Sequence, residues 1–182
     1  MAMPDREAQH ESLPRRGSKS ELPTRLDPDV RRNAEGGTGQ GSHSPGPAGG
    51  FHFSWPVRVY YEDTDAGGVV YHANYLRFME RARSEWLRAL GFEQDGLRAQ
   101  EGILFAVVAA RLEFLKPARF NDLLTVGVKL ERLGRASLEL TQAVLRAPDT
   151  LLCRADVRLA CLDGASFRPR PMPDALLRGL RV

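Results

Sequence analysis

The 182-residue chain is short of cysteine, with only Cys153 and Cys161, and its four histidines form no cluster with them. Metal sites built on imidazole and thiolate ligands are therefore not expected. The two cysteines share one alternating stretch. As strand residues they would stand eight steps of about 3.3 Å apart, beyond disulfide reach. No apolar run approaches the roughly 20 residues that span a bilayer. The beginning of the chain shows no unbroken apolar segment of the secretory kind, and its seven acidic residues argue against a transit peptide. A protein of the reducing cytoplasm is the expectation. Excess positive charge is small as well: 26 Lys and Arg against 23 Asp and Glu leave a net charge of +3, with a pI of about 9.1. That suits an anionic small molecule at least as well as nucleic acid, which calls for a denser basic patch.

Large apolar residues are nearly missing from residues 1–50, which are rich in Gly, Pro, Ser and charge. Such a stretch buries too little to offset its ordering entropy, so a disordered extension over 1–50 is expected. Its seven basic and seven acidic side chains cancel, leaving the whole excess charge on residues 51–182. Those residues suffice for one domain with one core.

Within that domain, Pro56 to Glu62 alternates and predicts a half-buried strand, with Val57, Val59 and Tyr61 inward. Asp63-Thr-Asp-Ala-Gly-Gly has the composition of a turn. Tyr75, Phe78, Met79, Ala82, Trp86 and Leu90 then recur at helical spacing, with Asn74 as a candidate cap and Gly91 as a terminator. From Ile103 the period becomes two. Strands are predicted over Ile103–Leu115, Leu124–Glu131, Ser137–Leu145 and Leu151–Cys161, joined by short turns, with a last short helix near Pro173–Gly179. This order gives an α+β fold, an antiparallel sheet around one long central helix.

Chemistry concentrates where the loop meets that helix. Asp65 precedes Gly67 and Gly68, which let backbone approach a ligand, and a helix start offers unpaired N–H groups and partial positive charge. A carboxylate in that setting could attack a carbonyl or activate water while the N–H groups hold an oxyanion. His72 and Tyr61 could move protons. From spacing alone, Asp63 and Asp65 fit turn and capping roles equally well.

The run Tyr60-Tyr-Glu-Asp-Thr-Asp-Ala-Gly-Gly-Val-Val-Tyr-His-Ala-Asn-Tyr75, followed by Phe78-Met-Glu-Arg-Ala-Arg83, resembles the hotdog-fold thioesterases of the para-hydroxybenzoyl-CoA type. Among these it is most similar to the Tol-Pal-associated YbgC family. The likeness extends from about Trp55 to Leu162 and includes Phe114-Leu-Lys-Pro117. The resemblance implies an acyl-CoA thioester hydrolase, without cofactor, acting on short-chain or aromatic acyl-CoA. It places the essential carboxylate on Asp65, as nucleophile or general base, with Tyr61 and His72 in support. Backbone at Gly67, Gly68 and Val69 would polarise the thioester carbonyl, and Arg135 and Ser137 would meet the CoA phosphates. The resemblance also implies a homodimer or homotetramer, with acyl carrier protein or phospholipid-synthesis proteins as further partners. Glu80 and Glu85, on the helix, read as solvated charge. Two other functions are kept in view: a binding module that holds acyl-CoA without cleaving it, and, more remotely, a dehydratase.

Overall fold

The computed structural model describes residues 50–181, so the expectation for the N-terminal extension falls outside the described residues apart from Gly50. Strand β1 (Phe53–Arg58) is followed by a single 3-10 turn at Tyr61–Asp63 and then by α1 (His72–Ala89) and α2 (Gln94–Gln100). Strands β2 (Ile103–Phe114), β3 (Leu123–Leu133), β4 (Ser137–Arg146) and β5 (Thr150–Asp163) follow, and α3 (Asp174–Gly179) ends the fold. The strands make one sheet in the order β1-β3-β4-β5-β2, every neighbouring pair antiparallel. The predicted α+β arrangement is the one observed.

Helix α1 lies on β1, β3 and β4. Its stripe of Tyr75, Phe78, Met79, Ala82 and Trp86 is buried, joined by Leu87, while Leu90 is only partly covered. Opposite it stand Leu124, Val126, Val128, Leu138, Leu140 and Val144 from the sheet. A large apolar side chain fully removed from water contributes roughly 1.5–3 kcal/mol, so this helix–sheet layer dominates stability. Gly91 ends the helical run with φ 86°, as expected. Cys153 and Cys161 are both buried free thiols, and burial pushes Cys153 up to about 11 and raises Cys161 as well.

The start of the domain is sealed by aromatic packing. The Phe51 ring covers Gly127 of β3 so closely that a methyl group there would come within 2.6 Å of a ring carbon. His52 continues the pairing: its N–H donates to Val128 O at 2.9 Å, and its Nδ1 accepts from Leu130 N–H at 3.0 Å.

Three local expectations are corrected. The first strand stops at Arg58, because the Asp63 carboxylate accepts the Tyr60 N–H at 2.9 Å and bends the chain into the 3-10 turn. Tyr61 therefore leaves the inward face that Val57 and Val59 occupy and is 75% exposed. Asn74 does not cap α1; Tyr71 holds that position and Asn74 is buried inside the first turn. Helix α2 was not expected, since Leu97 is its one buried residue and no stripe announces it.

Candidate active site

The segment Thr64–Val70 is a closed loop. Thr64 and Val70 face each other as an antiparallel bridge. The Asp65 N–H donates to Val69 O at 3.0 Å, and Gly68 N–H returns to Asp65 O at 2.9 Å. The carboxylate of Asp65 is held from inside the loop, because Gly67 N–H donates to its Oδ1 at 2.8 Å. A Cβ at Gly67 would sit 3.0 Å from that same oxygen, so only glycine fits without displacing the carboxylate.

The two aspartates that spacing left equivalent have different surroundings. Asp63 is buried and engaged in holding the backbone around it. Its Oδ2 takes Tyr60 N–H, while its main-chain oxygen takes Tyr71 N–H at 2.9 Å and the Asn74 side-chain N–H at 2.9 Å. Asp65 is exposed and keeps one carboxylate oxygen without a partner among the described residues. Asp63 thus builds the loop, and Asp65 is presented by it.

Gly67 and Gly68 spend their N–H groups within the loop, on Asp65. Val70 N–H goes to Ala118 O at 2.9 Å, and Tyr71 N–H to Asp63. The N–H groups of Val69, His72 and Ala73 have no acceptor among the described residues. These donors, two of them in the first turn of α1, are free for a ligand oxygen, and the helix dipole adds partial positive charge.

His72, the first residue of α1, is exposed. Its ring lies 4.3 Å from that of Tyr71 and edge-on to Phe114 at 6.4 Å. Tyr61 and Phe120, both exposed, stack at 3.9 Å. The segment that carries Phe114 and Phe120 is fixed to α1 through Ala118, whose N–H donates to the Tyr75 hydroxyl at 3.0 Å. Burial is the largest influence on Tyr75 and raises its pKa, so the phenol stays protonated.

Arg135 and Ser137 are not part of this cluster within one chain. They lie at the β3–β4 turn, whereas the loop packs near Asp122, before the opposite end of β3. Eleven strand residues at about 3.4 Å each put roughly 35 Å between the two ends of β3. Sequence reasoning did not anticipate the roles of Asn74, Ala118 and Phe120. Asn74 could have been found from its position one turn into a helix that must anchor a Gly-rich loop.

Comparison with known proteins agrees with this architecture. Residues 59–180 match the model of the thioesterase-like superfamily. The acyl-CoA thioester hydrolase YbgC of Escherichia coli O6:H1 is 46% identical over 69% of this chain and 92% of its own length. A 1,4-dihydroxy-2-naphthoyl-CoA hydrolase of Nostoc punctiforme is 30% identical over 71% of this chain and 87% of its own. The crystal structure of a probable thioesterase from Bartonella henselae, 39% identical, superposes with a TM-score of 0.64, covering 68% of this chain and 99% of that one. A sheet carrying one long helix, a loop presenting one free carboxylate and these matches lead to one conclusion: the chain belongs to the hotdog-fold thioesterase-like superfamily, in the YbgC family of acyl-CoA thioester hydrolases.

Proposed function

We propose that the protein hydrolyses short-chain or aromatic acyl-CoA thioesters to free CoA and a carboxylic acid, with Asp65 as nucleophile or general base. The observation that supports this most is the unequal fate of the two aspartates, one buried in loop construction and the other exposed beside unpaired N–H groups. As nucleophile, an Asp65 oxygen bonds to the thioester carbon, the C–S bond breaks and CoA leaves as its thiolate. Water then cleaves the resulting anhydride and restores the carboxylate. As general base, Asp65 takes the proton of the water that attacks. In both routes the N–H groups of Val69, His72 and Ala73 receive the developing oxyanion. We assign delivery of a proton to the leaving thiolate to the His72 ring and the Tyr61 hydroxyl.

A second copy of the chain completes the site in this proposal. Strand β2 is an edge of the sheet, twelve residues long, and Val107 and Val108 on it are each 50% exposed. An unpaired apolar edge of that length invites another strand. The Ile103 end of β2 lies toward Ser137, and the Phe114 end lies beside His72. Antiparallel β2–β2 pairing therefore brings Arg135 and Ser137 of one copy toward Asp65 and His72 of the other, where they could meet the CoA phosphates.

Among the described residues no helix is long and apolar enough to cross a membrane. We place the reaction in the cytoplasm, with acyl carrier protein or phospholipid-synthesis proteins as further partners to test. The decisive experiment replaces Asp65 with Asn and follows thiol release from a short-chain and an aromatic acyl-CoA. Loss of turnover in a folded variant is expected; undiminished turnover overturns the role of Asp65. A wild-type protein that retains acyl-CoA but releases no thiol would be a binding module instead.

A further inference from the structure

A cavity of about 120 Å³ lies between the second half of α1 and the sheet. Leu87, Phe105 and Leu140 are among its apolar walls, and Glu80, Arg83 and Ser84 supply its polar side. Arg83 is the unusual member. Its Nη1 donates to Gln142 Oε1 at 2.7 Å, and Gln142 is fully buried, with its own Nε2 donating to Met79 O at 3.0 Å. The neutral amide is thus locked in orientation, and among the described residues it is the one hydrogen-bond partner of the Arg83 side chain. The guanidinium makes no ion pair among the described residues. Burial lowers its pKa, and the charge of Glu80 offsets this only in part. No buried side-chain nitrogen or oxygen among the described residues lacks a partner, so the remaining Arg83 N–H groups are open to the cavity or to solvent.

A partly desolvated cation without a counter-ion gains more from an arriving anion than a solvated one does. Glu80 does not cancel this. It is exposed and holds the Ser84 hydroxyl at 2.8 Å, and water screens an exposed carboxylate more strongly than a covered guanidinium. Size narrows the ligand further. A cavity of about 150 Å³ holds benzene, so the present one takes a group of at most about six heavy atoms.

We propose that this cavity receives the far end of the acyl group, and that Arg83 selects acyl chains of about three to five carbons ending in a carboxylate. This rests on the hydrolase and dimer proposed above. Arg83 lies eleven residues beyond His72, roughly 16 Å along the helix, too far for so short an acyl chain to bridge within one chain. Antiparallel pairing through β2 turns the cavity, with Phe105 on its wall, toward the Phe114 end of the other copy and hence toward its Asp65 loop. The reaction balances as simple hydrolysis: water and a dicarboxylic monothioester give the dicarboxylic acid and free CoA thiol.

The test compares a four-carbon dicarboxylic monothioester (succinyl-CoA) with its neutral counterpart (butyryl-CoA) on the full chain. In the wild type, kcat/KM is expected to favour the charged substrate by about tenfold or more, the range of a charge-assisted hydrogen bond. Arg83→Met should bring the ratio near one, and Arg83→Lys should retain part of it, which a merely structural arginine would not do. Equal or better use of the neutral substrate by the wild type overturns the proposal, as does an unchanged ratio in a folded Arg83→Met. The wild-type ratio decides even where Arg83→Met fails to fold. Absence of thiol release from either substrate would instead sink the hydrolase. The selectivity of Arg83 is then read by calorimetric titration of both thioesters, where equal affinities overturn it.

Discussion

Asn74 donates its side-chain N–H to the main-chain oxygen of Asp63, 2.9 Å away and eleven residues earlier. With Tyr71 N–H on the same oxygen, it ties the loop's entry to the helix that its exit begins. Asn74→Ala removes one of two donors from that carbonyl and should lower stability by about 1–2 kcal/mol. Thiol release should fall further than the loss of folded protein explains, since the loop that presents Asp65 loosens. Thermal unfolding and turnover measured on the same sample check this; turnover that tracks the folded fraction alone would reduce Asn74 to a structural residue.

Asp63 and Asp65 should respond in opposite ways. Asp63→Ala strips the buried carboxylate that accepts the Tyr60 N–H in a partly buried bond, at a cost of about 1–3 kcal/mol. Asp65→Asn preserves shape at an exposed position and should shift stability by no more than about 0.5 kcal/mol. Its turnover should fall by about a hundredfold or more. Chemical denaturation beside a thiol-release assay separates the two effects.

The β2 edge is tested by one charge. Val108 is half exposed and lies at the point where the β2–β5 register shifts. Val108→Lys should lower the mass seen by light scattering to that of a single chain and reduce activity with it. A wild type that is monomeric and fully active would remove the second copy from the mechanism.

Asp163 supplies a pH signature away from the active site. Its carboxylate accepts from Ser166 N–H and Oγ–H, from Ala165 N–H and from Arg170, and these donors hold its pKa down at about 2, against an ordinary 3.8. A depressed folded-state pKa stabilises above the unfolded value and is lost as pH falls. The Tm gap between wild type and Asp163→Asn should therefore be full at pH 6 and close between about pH 4 and pH 2. A gap that persists at pH 2 would mean that the turn is held by something other than the charge.

Helix α1 was legible in the sequence because five of its six stripe residues are buried in register, and β3 to β5 because apolar residues recur at period two along most of each strand, despite register shifts at Leu130/Arg132 and Val144/Leu145. Tyr61 was misread for a physical reason. Val57, Val59 and Tyr61 alternate correctly, but the bond from Tyr60 N–H to the Asp63 carboxylate ends the strand, and alternation carries no trace of a side chain that captures backbone. Helix α2 has one buried residue and so no period. The motif flagged the loop, yet which aspartate faces solvent depends on Asn74 and Ala118, whose bonds reach across 11 and 43 residues. Arg83 gave no sign, since a helical arginine looks solvated until its neighbours in β4 are known.

Any trimming at the start of the domain has to spare the Phe51 ring over Gly127. A chain beginning at Gly50 keeps that aromatic lid and the His52 bond to Leu130. One beginning at Phe53, where β1 formally starts, would leave a glycine-floored trough open on the outer strand pair, an adhesive surface in a concentrated sample.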